Sequence, residues 1–182
     1  MSPAEARAVL AAADRICTAE EVTAAIARMA AQVTARLEHA HPLALAVMTG
    51  GVYLAGQILP RLAFPLDLDY IHATRYRGAT TGSGIEWRAL PESPMAGRTV
   101  LVLDDILDEG HTLAAIRQRL LELGAAAVLT AVLAEKALGR PKPIAADFVG
   151  LAVPDRYVFG CGMDVHGAWR NLPAIYAMAV AE

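Results

Sequence analysis

Apolar and polar residues alternate with a helical period in the N-terminal part of the chain. Apolar side chains recur every three or four positions and predict amphipathic helices over residues 3–16 and 19–39. The second of these segments carries a stripe of apolar residues on one face, which is the pattern of a helix packed against a core. Thr18 and Glu21 have the spacing of a capping box, so this helix is expected to begin directly after Thr18.

Beyond residue 42 the pattern changes to short aliphatic segments that alternate with helical ones. Strands are predicted over residues 43–49, 66–71, 98–103, 126–133, 147–153 and 157–162. Helices are predicted between them over residues 52–62 and 112–123. This alternation predicts an α/β fold with a central, mostly parallel sheet that is flanked by helices on both faces.

The composition fits one globular domain without a nucleic acid or membrane partner. The chain has 182 residues, 55% of them hydrophobic, and can bury a substantial core. Its formal net charge is -3, so no overall basic field attracts nucleic acid or anionic membrane. Cys17 and Cys161 have no metal-ligand spacing, which favours buried thiols in a reducing compartment. The first residues lack a signal-peptide pattern, so we expect a soluble cytoplasmic protein.

Four carboxylates follow one predicted strand within the segment VLVLDDILDEGHTL. Asp104 and Asp105 come at the end of the strand, where ligands of an open parallel sheet bind. The turn at Asp108, Glu109 and Gly110 then enters a helix, whose N-terminal amide groups and dipole favour a phosphate. The segment therefore offers acceptors for two sugar hydroxyls or a metal on one side and a phosphate site on the other, which fits a ribose 5-phosphate.

Simpler interpretations of the same residues remain open at this point. Asp108 could cap the helix while Asp104 and Asp105 are solvated. Lys136 could be an ordinary lysine at a strand end, and Tyr157 an ordinary core aromatic residue. A calcium loop is disfavoured because the oxygen ligands do not alternate as in an EF-hand, and no Walker-type loop is present in the sequence.

The acidic segment resembles the phosphoribosyl pyrophosphate (PRPP) binding motif of type I phosphoribosyltransferases. That motif is a hydrophobic strand, two acids, two aliphatic residues and a turn of the form Asp-Thr-Gly-x-Thr. From about residue 43 to 175 the chain is similar to the hypoxanthine-guanine phosphoribosyltransferase branch. The resemblance is carried, in order, by VMTGGVYLAGQIL, LDYIHATRY, VLVLDDILDEGHTL, Lys136, and DFVGLAVPDRYVFGCGMD followed by Arg170.

The resemblance implies a role for each matching residue. Asp104 and Asp105 would face the ribose hydroxyls, directly or through Mg²⁺, and Asp108 would be the general base near the purine N7. The 5-phosphate loop would consist of Asp108, Glu109, Gly110, His111 and Thr112. The other implied contacts are Thr49, Gly50 and Arg170 with pyrophosphate, Lys136, Tyr157 and Val158 with the purine, and Asp164 with a second Mg²⁺.

The same resemblance implies a single phosphoribosyltransferase domain over residues 1–182. Its hood subdomain would comprise the N-terminal helices and residues 140–182, and residues 75–94, which include Arg75 and Tyr76, would form a flexible lid loop. A homodimer or homotetramer would be expected. Three positions depart from the family: Glu109 replaces a threonine, Thr49 replaces a residue that is lysine in some members, and Arg75 precedes Tyr76 where serine is common.

The expected function is Mg²⁺-dependent transfer of the ribose 5-phosphate of PRPP to hypoxanthine or guanine, giving IMP or GMP and pyrophosphate. A xanthine-preferring transferase and a PRPP-sensing regulatory protein are the alternatives. Lys136 argues against adenine, because an ammonium group only donates and the amino group of adenine offers no acceptor. A regulator is expected to lose the general base, whereas this chain retains Asp108.

Overall fold

The computed structural model describes residues 1–75 and 84–179. In chain order its elements are α1 Pro3–Ala12, β1 Asp14–Cys17, α2 Ala19–Leu37, β2 Leu43–Val47, α3 Gly51–Ile58, a short 3-10 helix Leu59–Arg61, β3 Asp67–Arg75, β4 Ile85–Ala89, β5 Thr99–Leu107, α4 His111–Glu122, β6 Ala127–Ala137, β7 Phe148–Pro154, β8 Val158–Phe159 and β9 Ile175–Ala177. The predicted capping box forms at the start of α2, where Thr18 and Glu21 each accept the other's backbone N–H.

The central sheet has six strands in the order β4-β3-β2-β5-β6-β7. β4 runs antiparallel to β3, and the other neighbouring pairs are parallel, which confirms the predicted α/β fold with a mostly parallel sheet. β2 and β5 are neighbours, but the chain continues from β2 to β3 on one side and from β5 to β6 on the other. Such a reversal leaves a crevice beyond the carboxyl ends of the two strands, where ligands bind in open α/β sheets.

Each face of the sheet contributes to its own hydrophobic core. In β2, Ala44 and Ala46 pack with α2 and α3 on one face, while Leu43 and Leu45 pack with α4 on the other. Successive side chains of a strand point to opposite faces, so a strand covered on both sides must be apolar throughout. All five residues of β2 are accordingly buried.

Long-range pairing changes several of the predicted elements. Residues 14–16 were expected in a helix, but they belong to β1, which pairs antiparallel with β9 in a second sheet of order β1-β9-β8. β5 continues to Leu107 instead of ending at residue 103, because it stays paired with β6. β4 and β9 were not predicted as strands, and residues 76–83 of the predicted lid loop lie outside the described residues.

Both cysteines are free and buried, as predicted. Burial raises the pKa of Cys161 to about 11, which keeps this thiol protonated near neutral pH. Among the residues that the structure describes, no helix is both long and apolar enough to cross a membrane.

Candidate active site

Two adjoining clefts lie beyond the carboxyl ends of β2, β5 and β6. The main cleft has a volume of about 370 Å³ and is lined by residues 47–50 after β2, residues 104–113 between β5 and α4, Ala73 and Arg170. The side cleft, of about 330 Å³, is lined by Asp105, Ile106, Asp108, Lys136, Tyr157, Val158, Met163 and Asp164. Asp105, Ile106 and Asp108 line both clefts, so the two cavities meet along the end of β5.

The two acids at the end of β5 are held inside the fold. Asp104 is 9% exposed and pairs in register with Val132 of β6, and its carboxylate accepts the backbone N–H of Asp105 at 2.9 Å. Burial, with a further contribution from the Asp105 carboxylate, raises the pKa of Asp104 well above its ordinary value. Burial also raises the pKa of Asp105. The alternative of a solvated pair is therefore wrong for Asp104, because its carboxylate is buried. A buried carboxylate is stabilised by a nearby cation or by hydrogen bond donors.

The turn between β5 and α4 presents the start of a helix to the main cleft. Gly110 is the N-cap of α4 with a positive φ of 84°, and no side chain caps the helix. The first amide groups of a helix have no acceptor within it, so the amides of this turn can bind an anion. His111 and Thr112 line the cleft with them. The alternative in which Asp108 caps the helix is wrong, since Gly110 occupies that position.

Asp108 and Lys136 meet where the two clefts join. The Lys136 ammonium lies 2.8 Å from the Asp108 carboxylate, and its side chain is 12% exposed while that of Asp108 is 48% exposed. The pair spans the ends of neighbouring strands, because Asp108 follows β5 and Lys136 belongs to β6. A nearly buried ammonium and an accessible carboxylate therefore face the side cleft together.

Glu109, the unusual acid of the turn, has a positive partner. Its carboxylate accepts a hydrogen bond from the Arg140 guanidinium at 2.9 Å. Both side chains reach solvent at the outer edge of the turn. The sequence motif did not indicate Arg140, which becomes relevant only because the segment after β6 folds back over the turn.

Arg170 connects carboxylates of the two clefts. Its guanidinium lies 2.5 Å from Asp164 and 3.9 Å from Asp105, and it donates to the Gly162 carbonyl at 2.6 Å. The second oxygen of Asp164 accepts the backbone N–H of Gly167 at 2.7 Å. Arg170 thereby places one cation at the edge of the main cleft and keeps Asp164 at the side cleft.

The turn after β2 packs directly against the acidic pair. Thr49 is exposed and Gly50 is buried, and the peptide bond between Met48 and Thr49 is cis. A Cβ at Gly50 would collide with the Asp105 carboxylate, and one at Gly162 would collide with the Gly50 carbonyl. Sequence reasoning missed Gly162, whose φ of +102° is readily adopted only by glycine.

The predicted purine-binding residues line the side cleft. The Tyr157 side chain is half exposed, and its ring lies nearly parallel to His166 with the ring centroids 6.4 Å apart. Val158 is buried in β8. Of the two predicted lid residues, Arg75 is the last residue of β3, and Tyr76 lies outside the described residues.

Comparison with known proteins agrees with this arrangement. Residues 12–166 match the family model of the phosphoribosyl transferase domain. The chain is 30% identical over 158 residues to the hypoxanthine-guanine phosphoribosyltransferase of Bacillus subtilis strain 168, which covers 86% of this chain and 87% of that protein. It is 31% identical over 157 residues to the hypoxanthine-guanine-xanthine phosphoribosyltransferase of Tritrichomonas foetus, covering 86% of each.

A solved structure of a hypoxanthine-guanine-xanthine phosphoribosyltransferase has the same fold, with a TM-score of 0.82 and 28% identity over 91% of this chain and 96% of that one. The resemblance drawn from the sequence motifs is confirmed. The chain belongs to the phosphoribosyltransferase family, in its hypoxanthine-guanine phosphoribosyltransferase branch.

Proposed function

We propose that this chain transfers the ribose 5-phosphate group of PRPP to hypoxanthine or guanine in purine salvage, with IMP or GMP and pyrophosphate as products. The observation that carries the proposal is the pair of clefts that share Asp105 and Asp108. One cleft combines buried acids with an open helix start, and the other combines an ammonium group with an exposed aromatic ring.

The main cleft suits PRPP. Asp104 and Asp105 offer acceptors for the ribose hydroxyls, and the backbone of residues 108–112 offers donors for the 5-phosphate. Arg170 and the Thr49–Gly50 turn line the same cleft and would bind the pyrophosphate. The guanidinium of Arg170 can neutralise charge on a departing phosphate oxygen.

The carboxylates of the site also suit Mg²⁺. Asp104 and Asp105 would supply hard oxygen ligands for one ion, and Asp164 for a second. Within the described residues, no group of three or more histidine, cysteine, aspartate or glutamate side chains could hold a metal by itself. This fits an ion held by one or two carboxylates together with substrate oxygens. When bound, Mg²⁺ would neutralise charge that develops on the pyrophosphate.

The side cleft suits a 6-oxopurine. Tyr157 offers a ring for stacking, Lys136 a donor for the oxygen at C6, and Val158 a backbone edge for recognition. Lys136 and Asp108 bond to each other in this structure. We propose that the purine enters between them, so that Lys136 turns to the exocyclic oxygen and Asp108 becomes free to accept a proton.

Asp108 then serves as the general base. The bond between ribose C1 and the pyrophosphate oxygen breaks, a bond from C1 to a purine nitrogen forms, and the proton on the purine N7 passes to the Asp108 carboxylate. Positioned proton transfer of this kind typically contributes about 10²- to 10⁴-fold to the rate. Arg75 and Tyr76 would belong to a lid that keeps water from PRPP during this step.

The experiment that tests the proposal supplies PRPP and Mg²⁺ with hypoxanthine, guanine, xanthine or adenine in separate reactions, with and without EDTA. Formation of IMP or GMP that EDTA abolishes is expected. XMP as the main product would make the chain a xanthine-preferring transferase, and the T. foetus relative carries xanthine in its name. PRPP binding without product from any base would instead favour a regulatory protein.

Assembly and location belong to the same proposal. We expect a homodimer or homotetramer, which light scattering of the purified protein would test, and a cytoplasmic location. Neither nucleic acid nor a membrane is expected as a partner, in keeping with the net charge of -3.

A further inference from the structure

We propose that Lys142 is a positioning residue for this reaction, an inference that rests on the proposed function. Lys142 lies outside every matched motif, in the segment between β6 and β7, and its side chain is 9% exposed. Its ammonium donates to the Leu107 carbonyl at 3.0 Å, to the Lys136 carbonyl at 2.7 Å and to the Glu135 carboxylate at 3.2 Å. An ammonium group has three N–H donors, so each of them has an acceptor here.

The acceptors of Lys142 sit where two strands end. Leu107 pairs with Glu135 in the last registered step between β5 and β6. Past that step β5 leaves the sheet as the turn that begins with Asp108, while β6 continues beside β7. Lys142 thus bridges β5 and β6 at the point where the hydrogen-bonded pairing between these two strands stops.

Both of the tied carbonyl groups adjoin the proposed catalytic groups. Leu107 directly precedes Asp108, and the other acceptor carbonyl is that of Lys136 itself. The side chains of Asp108 and Lys136 meet at 2.8 Å across the mouth of the side cleft. Fixing both backbones therefore fixes the spacing of the proposed base and the proposed purine donor.

The segment around Lys142 also supports the phosphate turn from outside. A Cβ at Gly110 would lie 3.2 Å from Ile144 and 3.4 Å from Pro143, so these residues contact the turn at its left-handed position. Displacing the segment would therefore loosen the turn as well as the strand ends.

The choice of residue types agrees with a positioning role. The chain has sixteen basic residues, and its only two lysines are Lys136 and Lys142. Burying an ammonium is costly unless every donor is satisfied, and the compact Lys142 ammonium meets this condition with three acceptors around one nitrogen atom. The two lysines lie together at this one place in the fold, where the Lys142 ammonium donates to the Lys136 carbonyl.

The test compares Lys142→Met with a matched control at the opposite end of the sheet. Arg98, just before β5, makes a similar clamp to Asp67 at 2.7 Å, to the His41 carbonyl at 3.2 Å and to the Pro94 carbonyl at 3.4 Å. Lys142→Met is expected to lower kcat by about 10- to 100-fold, because small misplacements of reacting groups have effects of that size. Arg98→Met is expected to lower Tm while kcat per folded molecule changes less than about twofold.

A double-mutant cycle separates positioning from a structural role. In an Asp108→Asn background, the effect of Lys142→Met on kcat should be smaller than in the parent, because one of the two groups that Lys142 positions is gone. Lys142→Arg keeps the charge and should keep Tm closer to the parent, yet still lose kcat. The inference would be overturned if Lys142→Met lowered kcat by the same factor in the parent and in the Asp108→Asn background. It would also be overturned if Lys142→Met left the kcat of the parent unchanged.

Hydrogen exchange measured by mass spectrometry gives a readout that needs no turnover. Lys142→Met should accelerate exchange in peptides covering residues 104–112 and 134–142, and Arg98→Met should not. If the parent protein forms no nucleotide with any purine, the proposed function fails, and exchange still decides whether Lys142 holds the strand ends. Equal exchange rates in the parent and in Lys142→Met would show that Lys142 does not hold the ends of β5 and β6.

Discussion

The carboxylates of the two clefts are compensated in different ways. Asp104 and Asp105 are buried next to each other with raised pKa values. Asp108 and Asp164 are more exposed, yet each contacts a cation directly, at 2.8 Å from Lys136 and 2.5 Å from Arg170. The first pair thus has a demand for positive charge or hydrogen bond donors that Arg170, 3.9 Å from Asp105, meets only in part. The second pair is already bonded to cations, which a ligand could contact instead. The same end of the sheet therefore offers acidic groups that need a positive partner and basic groups that can change theirs.

Asp108→Asn should show the largest effect. Asp108 is the proposed proton acceptor and one of the two carboxylates that contact a cation, and asparagine cannot accept the proton. We expect kcat to fall by about two to four orders of magnitude. Its fold and PRPP affinity should be preserved, since the proposed contacts with the 5-phosphate come from the backbone of the turn and not from the Asp108 side chain. Steady-state kinetics together with calorimetric PRPP binding checks both statements. Near-normal kcat would remove Asp108 from the base role.

Gly162→Ala should disrupt the close contact between Gly162 and Gly50. Gly50 packs against Asp105, and the Gly162 carbonyl binds Arg170, which in turn contacts Asp164. At a φ of +102° an alanine costs roughly 1–3 kcal/mol in the backbone alone, and its Cβ would meet the Gly50 carbonyl. We expect a lower urea midpoint and a higher KM for PRPP.

Gly56→Ala is the control for that change. Gly56 lies in α3, and a Cβ added there would meet nothing within 4 Å beyond its chain neighbours and the backbone of its own helix, so alanine should raise stability by about 0.5–1 kcal/mol. Equal effects of the two alanine substitutions on PRPP KM would contradict the proposed role of the Gly50 contact.

Asp104→Asn should stabilise the ligand-free protein while it impairs activity. A raised pKa means that the folded state favours the protonated acid, so its contribution to stability is present below the unfolded pKa and lost as pH rises through the folded pKa. Asparagine does not ionise, so Tm should rise by about 2–4 °C at about pH 8, and the gain should vanish toward about pH 4. Melting curves across this range test the sign, and a lower Tm at high pH would refute it.

Arg140→Ala should show the smallest effect, because the Arg140–Glu109 pair is exposed. Loss of the cation beside the phosphate turn should raise the KM for PRPP by about two- to fivefold. In a Glu109→Thr background the same change should have less effect, since the acid that needs neutralising is absent. Effects that multiply fully in the double variant would show that Arg140 does not act through Glu109.

The sequence was most informative where local pattern and local structure coincide. Thr18 and Glu21 predicted the start of α2, and the acidic segment predicted a turn into a helix after β5, where the main cleft lies. Residues 14–17 were misjudged because their strand forms by pairing with β9, more than 150 residues away. The burial of Asp104 was missed for a similar reason, since it follows from pairing with β6.

Contacts between turns that are far apart in the sequence could not be predicted either. Gly162 matters because it approaches Gly50, and Lys142 because its segment folds back on the ends of β5 and β6. Neither residue belongs to a local pattern that predicts such a contact. A second lysine six positions after Lys136, in a chain otherwise supplied with arginine, was the one available signal.

The sharing of Asp105 and Asp108 by both clefts has a thermodynamic consequence. A ligand that reorients Asp108 in one cleft changes the free energy of binding in the other, because the carboxylate cannot adopt two positions at once. Linkage requires the reverse effect to have the same size. The affinities of the two clefts for their ligands are therefore coupled. A dissociation constant measured for one cleft while the other is empty will differ from the constant measured while the other is occupied.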